Sequence, residues 1–272
     1  MDLELTGKRA FVTGGSRGIG KAVARALAAE GCHVAIAARD PGRLRAAAAE
    51  LEGAGAGAAG AWGRIVPVEI DTADDDAVRR AVAEATEALG GIDVLVNNAA
   101  QPGGQAPPPK LAELTRAALF ADVEVKVMGY LRCAQAVAPQ MIERGWGRIV
   151  NVSGLAARST GSIIGSIRNV SVAALTKNLA DELGPHGVNV TVVHPGLTRT
   201  EATAGVVAAR AAAAGVAPDV VEARMAQGNS VRRFIDADEV AAVIAFLASP
   251  RSSSINGDAI ACGGGQPGSI HY

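Results

Sequence analysis

Thr13-Gly14-Gly15-Ser16-Arg17-Gly18-Ile19-Gly20 is the first segment whose residue types suggest chemistry. It lies between an apolar run and a helix-forming run. Glycines there let backbone approach a phosphate, and the following helix N-terminus offers unpaired N–H groups and a partial positive charge. A glycine pattern is weak by itself, and the strand–turn–helix setting gives it weight. Two guanidinium groups stand nearby: Arg17 inside the loop, and Arg39 after the second apolar run. Elsewhere, Lys126 interrupts an apolar stretch, and a lysine is seldom buried without a partner. His194 precedes Pro195-Gly196 and is either a group titrating near neutral pH or a hydrogen-bonded strand-end residue.

These residues need elements to position them, and the chain supplies alternating strands and helices. Strands are expected at Arg9–Thr13, His33–Ala38, Arg64–Ile70, Ile92–Val96, Gly147–Val152, Val188–Val193 and Ala259–Cys262. Between them, helices are expected over Gly18–Glu30, from Asp40-Pro41 to about Glu52, and over Asp74–Leu89, Glu113–Arg144, Ile163–Leu183 and Asp238–Ala248. Gly53–Gly63 and Gln101–Lys110 read as loops, and Thr200–Ser230 as an irregular Ala-rich segment. Strands alternating with helices make βαβ units with right-handed crossovers. The expectation is an α/β doubly wound Rossmann fold: a single domain over 1–272, a parallel sheet with helices on both faces, and 200–230 as a substrate lid.

Bulk properties exclude several classes. The 272 residues carry a formal net charge of −1, with no clustered basic face for a nucleic acid. No apolar run approaches the ~20 residues that span a bilayer, and Met1–Lys8 is too acidic and polar for a signal peptide. Cys32, Cys133 and Cys262 are far apart in apolar stretches and read as buried free thiols in a reducing cytoplasm, not as metal ligands.

The glycine loop resembles the T-G-x-x-x-G-x-G of the short-chain dehydrogenase/reductase family, and further segments fall in that family's order from about Leu5 to Gly265. Asp71 resembles the acid beside adenine. Asn97-Asn98-Ala99-Ala100 resembles N-N-A-G, and Pro195-Gly196-Leu197-Thr198-Arg199-Thr200 resembles P-G-x-x-x-T. Asn256-Gly257 and Gly263-Gly264-Gly265 resemble the family's T-G…D-G-G without its Asp. The resemblance implies a nicotinamide dinucleotide held by Gly14, Ser16, Arg17, Gly18, Ile19, Gly20, Arg39, Asp71, Thr72, Asn98, Ala99, Pro195, Gly196 and Thr198. It also implies a homodimer or homotetramer and a small-molecule substrate. Binders of NAD(H) place an acid after the second strand, whereas Ala37-Ala38-Arg39 stands there. Asp40 then reads as a helix cap, Arg17 and Arg39 suit a 2′-phosphate, and NADP(H) is expected over NAD(H). Arg39 as a solvated loop charge is the alternative.

The catalytic segments depart from the family. Leu175-Thr176-Lys177-Asn178-Leu179-Ala180 resembles L-T-K-S-L-A, and this register puts Gly165 at the family's Tyr and Asn169 at its Lys. Gly147–Gly154 resembles G-R-I-V-N-I-S-S, with Gly154 at the catalytic Ser and Ser153 beside it. Met128-Gly129 ends an N-x-x-G-like turn, with Lys126 at the Asn. Lysine and asparagine are thus exchanged between two helices, and the catalytic candidates are Lys126, Ser153 and Asn169. Lys126 either reaches the cofactor ribose from the other helix or is a partly exposed helix residue. Ser162, Ser166 and Arg168 are nearby polar groups, and Tyr272 is a distant alternative hydroxyl.

Three functions remain open. One is an NADP(H)-dependent oxidoreductase acting on a small apolar carbonyl or alcohol through an atypical proton donor. Another is a redox-neutral enzyme, such as a lyase, isomerase or cyclase. The third is a non-catalytic dinucleotide-binding protein. Function resides in the site and not in the fold.

Overall fold

The computed structural model describes residues 1–56, 60–101 and 108–268. Positions 102–107 of the expected Gln101–Lys110 loop and Tyr272 lie outside the described residues. The chain runs β1 (Arg9–Thr13), α1 (Gly18–Ala29), β2 (His33–Ala38), α2 (Pro41–Gly55), β3 (Ile65–Glu69), α3 (Asp75–Leu89) and β4 (Val94–Asn97). Next come α4 (Arg116–Val123), α5 (Gly129–Arg144), β5 (Gly147–Val152), α6 (Ile163–Leu183) and β6 (Val188–Pro195). The last elements are β7 (Thr198–Arg199), α7 (Thr203–Ala214), α8 (Pro218–Ala226), β8 (Ile235–Asp236), α9 (Ala237–Ala248) and β9 (Ala259–Cys262).

Seven strands form one parallel sheet in the order β3-β2-β1-β4-β5-β6-β9. Its central strands are apolar on both faces because helices cover both. Val12, Ile36, Val96 and Val150 face α1, α2 and α9, whereas Phe11, Leu95, Ile149 and Val190 face α3, α5 and α6. Strand order reverses between β1 and β4. In such a sheet the crevice beyond the carboxyl ends at this point is where ligands bind. Buried polar bonds fix that end: Asn98 and Ala99 donate their backbone N–H groups to Thr13 Oγ1 at 3.0 and 3.1 Å, tying β4 to β1.

Two expectations change. The expected Glu113–Arg144 helix is interrupted: α4 and α5 are joined by a π-helical turn, Glu124–Met128, in which Gly129 N–H donates to Glu124 O. Such turns are rare and cluster at functional sites. The 200–230 segment is not irregular. It forms α7 and α8, set at 108° to each other. Gly215 ends α7 in the left-handed conformation and Pro218 starts α8. Among the described residues, no single helix is long and apolar enough to cross a membrane.

Candidate active site

A cleft of about 940 Å³ opens at the switch point, within the range of small-molecule sites. Gly14, Ser16, Arg17, Gly18, Ile19, Arg39, Thr72, Asn98, Ala99, Pro195, Gly196 and Thr198 line it. Gly20 lies behind the wall, where a Cβ would collide with Gly14 O and with Asn98 Nδ2. Gly14 has φ +67°, and a Cβ on it would come within 2.8 Å of Asn98 Nδ2. Gly14 and Gly20 are therefore positions where a side chain would collide with backbone or Asn98. Asp71 turns its carboxylate to Ala73 N–H at 3.0 Å, while its neighbours Ile70 and Thr72 form the wall.

The helix ends differ around this cleft. Asp40 caps α2, accepting from Arg43 N–H at 2.9 Å, which matches its reading as a cap. At α1, Arg17 makes no side-chain capping bond and the first turn holds no acid. Its N–H groups are thus left for a ligand or a distant residue. Arg43 also lines the cleft, beside Arg39. Sequence reasoning missed it, although it stands one turn after the Asp40 cap and so shares that edge. Lys21, Glu50 and Glu201 were missed too, because nothing local shows that residues so far apart share one wall.

At the other end of the cleft, the structure brings Lys126, Ser153 and Asn169 together. Lys126 Nζ donates to Ser153 O at 2.9 Å and to Asn169 Oδ1 at 3.2 Å. The side chain is buried yet borders the cleft, so the third ammonium hydrogen has room to face a ligand. Lys126 lies in the π turn, and Thr72 Oγ1 braces that turn by donating to Val125 O at 3.2 Å. Burial chiefly, with Arg168 adding to it and Asp122 opposing it, pushes the Lys126 pKa down to about 7. Of the two sequence readings, the partly exposed helix residue is ruled out.

The nearby hydroxyls are engaged. Ser153 Oγ donates to Asn169 O at 3.1 Å, Ser162 Oγ accepts from Gly165 N–H at 3.0 Å as the α6 cap, and Ser166 Oγ donates to Ser159 O at 3.0 Å. Arg168 pairs with Asp122 at 2.7 Å. Tyr130 is wholly buried, its hydroxyl donating to Val152 O at 2.8 Å, and its pKa is raised by burial. A Cβ on Gly165 would sit 2.9 Å from Ser162 Oγ, and one on Gly154 would sit 3.1 Å from Asn169 Nδ2. Neighbouring polar groups thus crowd the Cβ positions of both glycines.

His194 is not a near-neutral group. It is buried, Gly154 N–H points at its Nδ1 at 3.4 Å, and burial with the charges of Arg158 and Lys126 pushes it down to about 4. Cys32 and Cys133 are buried thiols, each pushed up to about 12 by desolvation, whereas Cys262 is only half-buried. Among the described residues, no cluster of His, Cys, Asp and Glu could hold a metal ion.

Comparison with known proteins agrees with this geometry. Residues 8–211 match the short chain dehydrogenase family. The short-chain reductase protein NovJ of Streptomyces niveus is 36% identical, over 95% of this chain and 93% of its own. The 3-oxoacyl-[acyl-carrier-protein] reductase FabG of Aquifex aeolicus is 31% identical, over 97% of this chain and 99% of its own. Among solved structures, L-sorbose reductase from Gluconobacter frateurii, complexed with NADPH and L-sorbose, superimposes with a TM-score of 0.91 at 27% identity, covering 99% of this chain and all of that one. The chain belongs to the short chain dehydrogenase family.

Proposed function

We propose that the protein is an NADP(H)-dependent oxidoreductase that interconverts a carbonyl and an alcohol on a small, apolar substrate, with Lys126 as the proton donor. The carrying observation is that a buried amine with a pKa near 7 borders the same cleft as the glycine loop. An acid poised near the working pH is what proton transfer needs. The reductase relatives and the NADPH complex of L-sorbose reductase support the NADP(H)-dependent oxidoreductase part of this reading.

The cleft fits the cofactor. The Gly14–Gly20 backbone and the uncapped α1 would hold a pyrophosphate, and Arg17, Arg39 and Arg43 would face a 2′-phosphate. Asn98, Ala99, Pro195, Gly196 and Thr198 would flank the rest of it. The bound cofactor would supply the hydride equivalent. Lys126 Nζ would give its third proton to the substrate oxygen during reduction and take it back during oxidation. Asn169 Oδ1 and Ser153 O orient that amine. The α7–α8 segment stands beside the cleft at Val206 and would act as a lid that excludes water.

Exposed Phe120, Ile163, Ile167 and Val170 on α4 and α6 are a surface a second copy would cover, as a homodimer or homotetramer would. A cytoplasmic location is consistent with the three unpaired cysteines.

The test is NADPH consumption across a panel of ketones and enones, with wild type and Lys126→Met side by side. Substrate-dependent consumption by the wild type, reduced at least about 100-fold in the variant, is expected. Turnover without NADPH consumption would point to redox-neutral chemistry, and binding without turnover to a non-catalytic role.

A further inference from the structure

The N-terminus of α1 is not capped by its own sequence, yet its first N–H is not free. Gly18 N–H donates to Glu201 Oε2 at 2.9 Å, from a residue 183 positions away. The other carboxylate oxygen, Oε1, pairs with Lys21 Nζ at 3.0 Å, one turn into the same helix. Lys21 also takes Glu50 of α2 at 3.1 Å. Gly18, Lys21, Glu50 and Glu201 all line the cleft. Burial alone would raise the Glu201 carboxyl. Hydrogen bonds from its own backbone N–H, Lys21 and Gly18 outweigh that and hold it below the usual range, so it is anionic at neutral pH.

A helix N-terminus with free N–H groups attracts one anion well, and two anions crowded there repel. We propose that Glu201 is an affinity-determining latch, whose carboxylate competes with the pyrophosphate of the dinucleotide for the first turn of α1. This rests on the dinucleotide reading of the cleft and adds a cost to binding. The latch also has a mechanical consequence. Glu201 lies between Thr200 and the first residue of α7, Thr203, so it ties the root of the lid to the glycine loop. A ligand phosphate that displaces Glu201 from Gly18 N–H releases the lid where it begins. Cofactor binding and lid position are then linked through one contact, and the linkage is reciprocal.

The latch is weak by design of its surroundings. The Glu201 side chain is 54% exposed, so water and salt screen its pairing with Lys21. The expected effect on cofactor affinity is accordingly about three- to tenfold.

The test is calorimetric titration of NADPH into the full-length wild type, Glu201→Gln and Glu50→Gln. Both substituted side chains, Glu201 and Glu50, are exposed and the changes are isosteric, so each variant should fold. Glu50 shares Lys21 but does not touch Gly18, and therefore reports general charge in the cleft. The latch predicts binding about three- to tenfold tighter in Glu201→Gln, less than about twofold tighter in Glu50→Gln, and a Glu201→Gln gain that shrinks at high salt. Equal or weaker binding in Glu201→Gln would overturn the latch, as would equal gains in the two variants. If none of the three proteins binds NADPH, the dinucleotide reading itself falls, a result distinct from either of these.

Discussion

The two ends of the cleft are built from different materials. At the glycine loop the working groups are backbone: N–H groups of a helix not capped by its own N-cap residue, held by glycines whose Cβ positions are blocked by Gly14 O and Asn98. At the Lys126 end they are side chains, Lys126 from the π turn and Asn169 from α6, joined by a hydrogen bond at 3.2 Å. Backbone sites tolerate almost no substitution, so the loop keeps its family form. A side-chain site can be rebuilt from the opposite helix, provided the donor atom arrives at the same place. Lys126 sits inside the π turn at Glu124–Met128.

Substitutions at the two ends should therefore fail in different ways. The largest effect is expected for Lys126→Met: kcat/KM for carbonyl reduction falls about 10²–10⁴-fold. NADPH affinity falls by no more than about tenfold, because at most one hydrogen bond to the cofactor is lost. An unaltered rate would break the contrast between the ends. Gly20→Ala reverses the pattern. The new methyl collides with Gly14 O, an overpacking cost of up to ~3 kcal/mol, and NADPH binding by calorimetry weakens about 100-fold.

Arg39→Ala sharpens the comparison within the cofactor end. NADPH binding should weaken about tenfold, with NADH binding unchanged, if the guanidinium meets a 2′-phosphate. Equal losses for both would mean that Arg39 is only a solvated charge.

The smallest effect is on stability. The folded Lys126 pKa is about 7, below the ordinary lysine value of 10.5. Between those values the unfolded chain binds a proton that the folded chain lacks, so this group makes stability rise with pH from about 7 to 10.5 and adds no slope outside that window. Denaturant midpoints at pH 7 and 9 should differ less in Lys126→Met than in the wild type.

The sheet and its helices were legible because buried strands and capped helices leave local marks. Asp40-Pro41 announced α2, and the Gly14–Gly20 pattern placed the cofactor end. That Lys126 and Asn169 share one site was legible too, because the resemblance set both in the catalytic segments, and the structure joins them by a hydrogen bond. The π turn was not, since Glu-Val-Lys-Val-Met carries no local signal that a carbonyl will pair five residues on instead of four. The helices of 200–230 were marked by Gly215 and Pro218, and by alanine's high helix propensity, but low sequence complexity disguised them. Glu201 lay beyond local reading altogether, because its partner is at the start of the chain and only folding brings them together. For His194 the sequence left two readings, and its buried setting, which keeps it neutral, favours the hydrogen-bonded strand-end residue.

The most direct measurement is an NMR titration of protein labelled with ¹³Cε-lysine. The chain has few lysines, Lys8, Lys21, Lys110, Lys126 and Lys177, and a Lys126→Arg variant identifies the resonance that matters. If Lys126 is the proton donor, one resonance titrates near pH 7, disappears in the variant, and shares its midpoint with the fall in carbonyl reduction at rising pH. Titration of every lysine in the ordinary range near 10.5 would contradict a poised amine in this cleft.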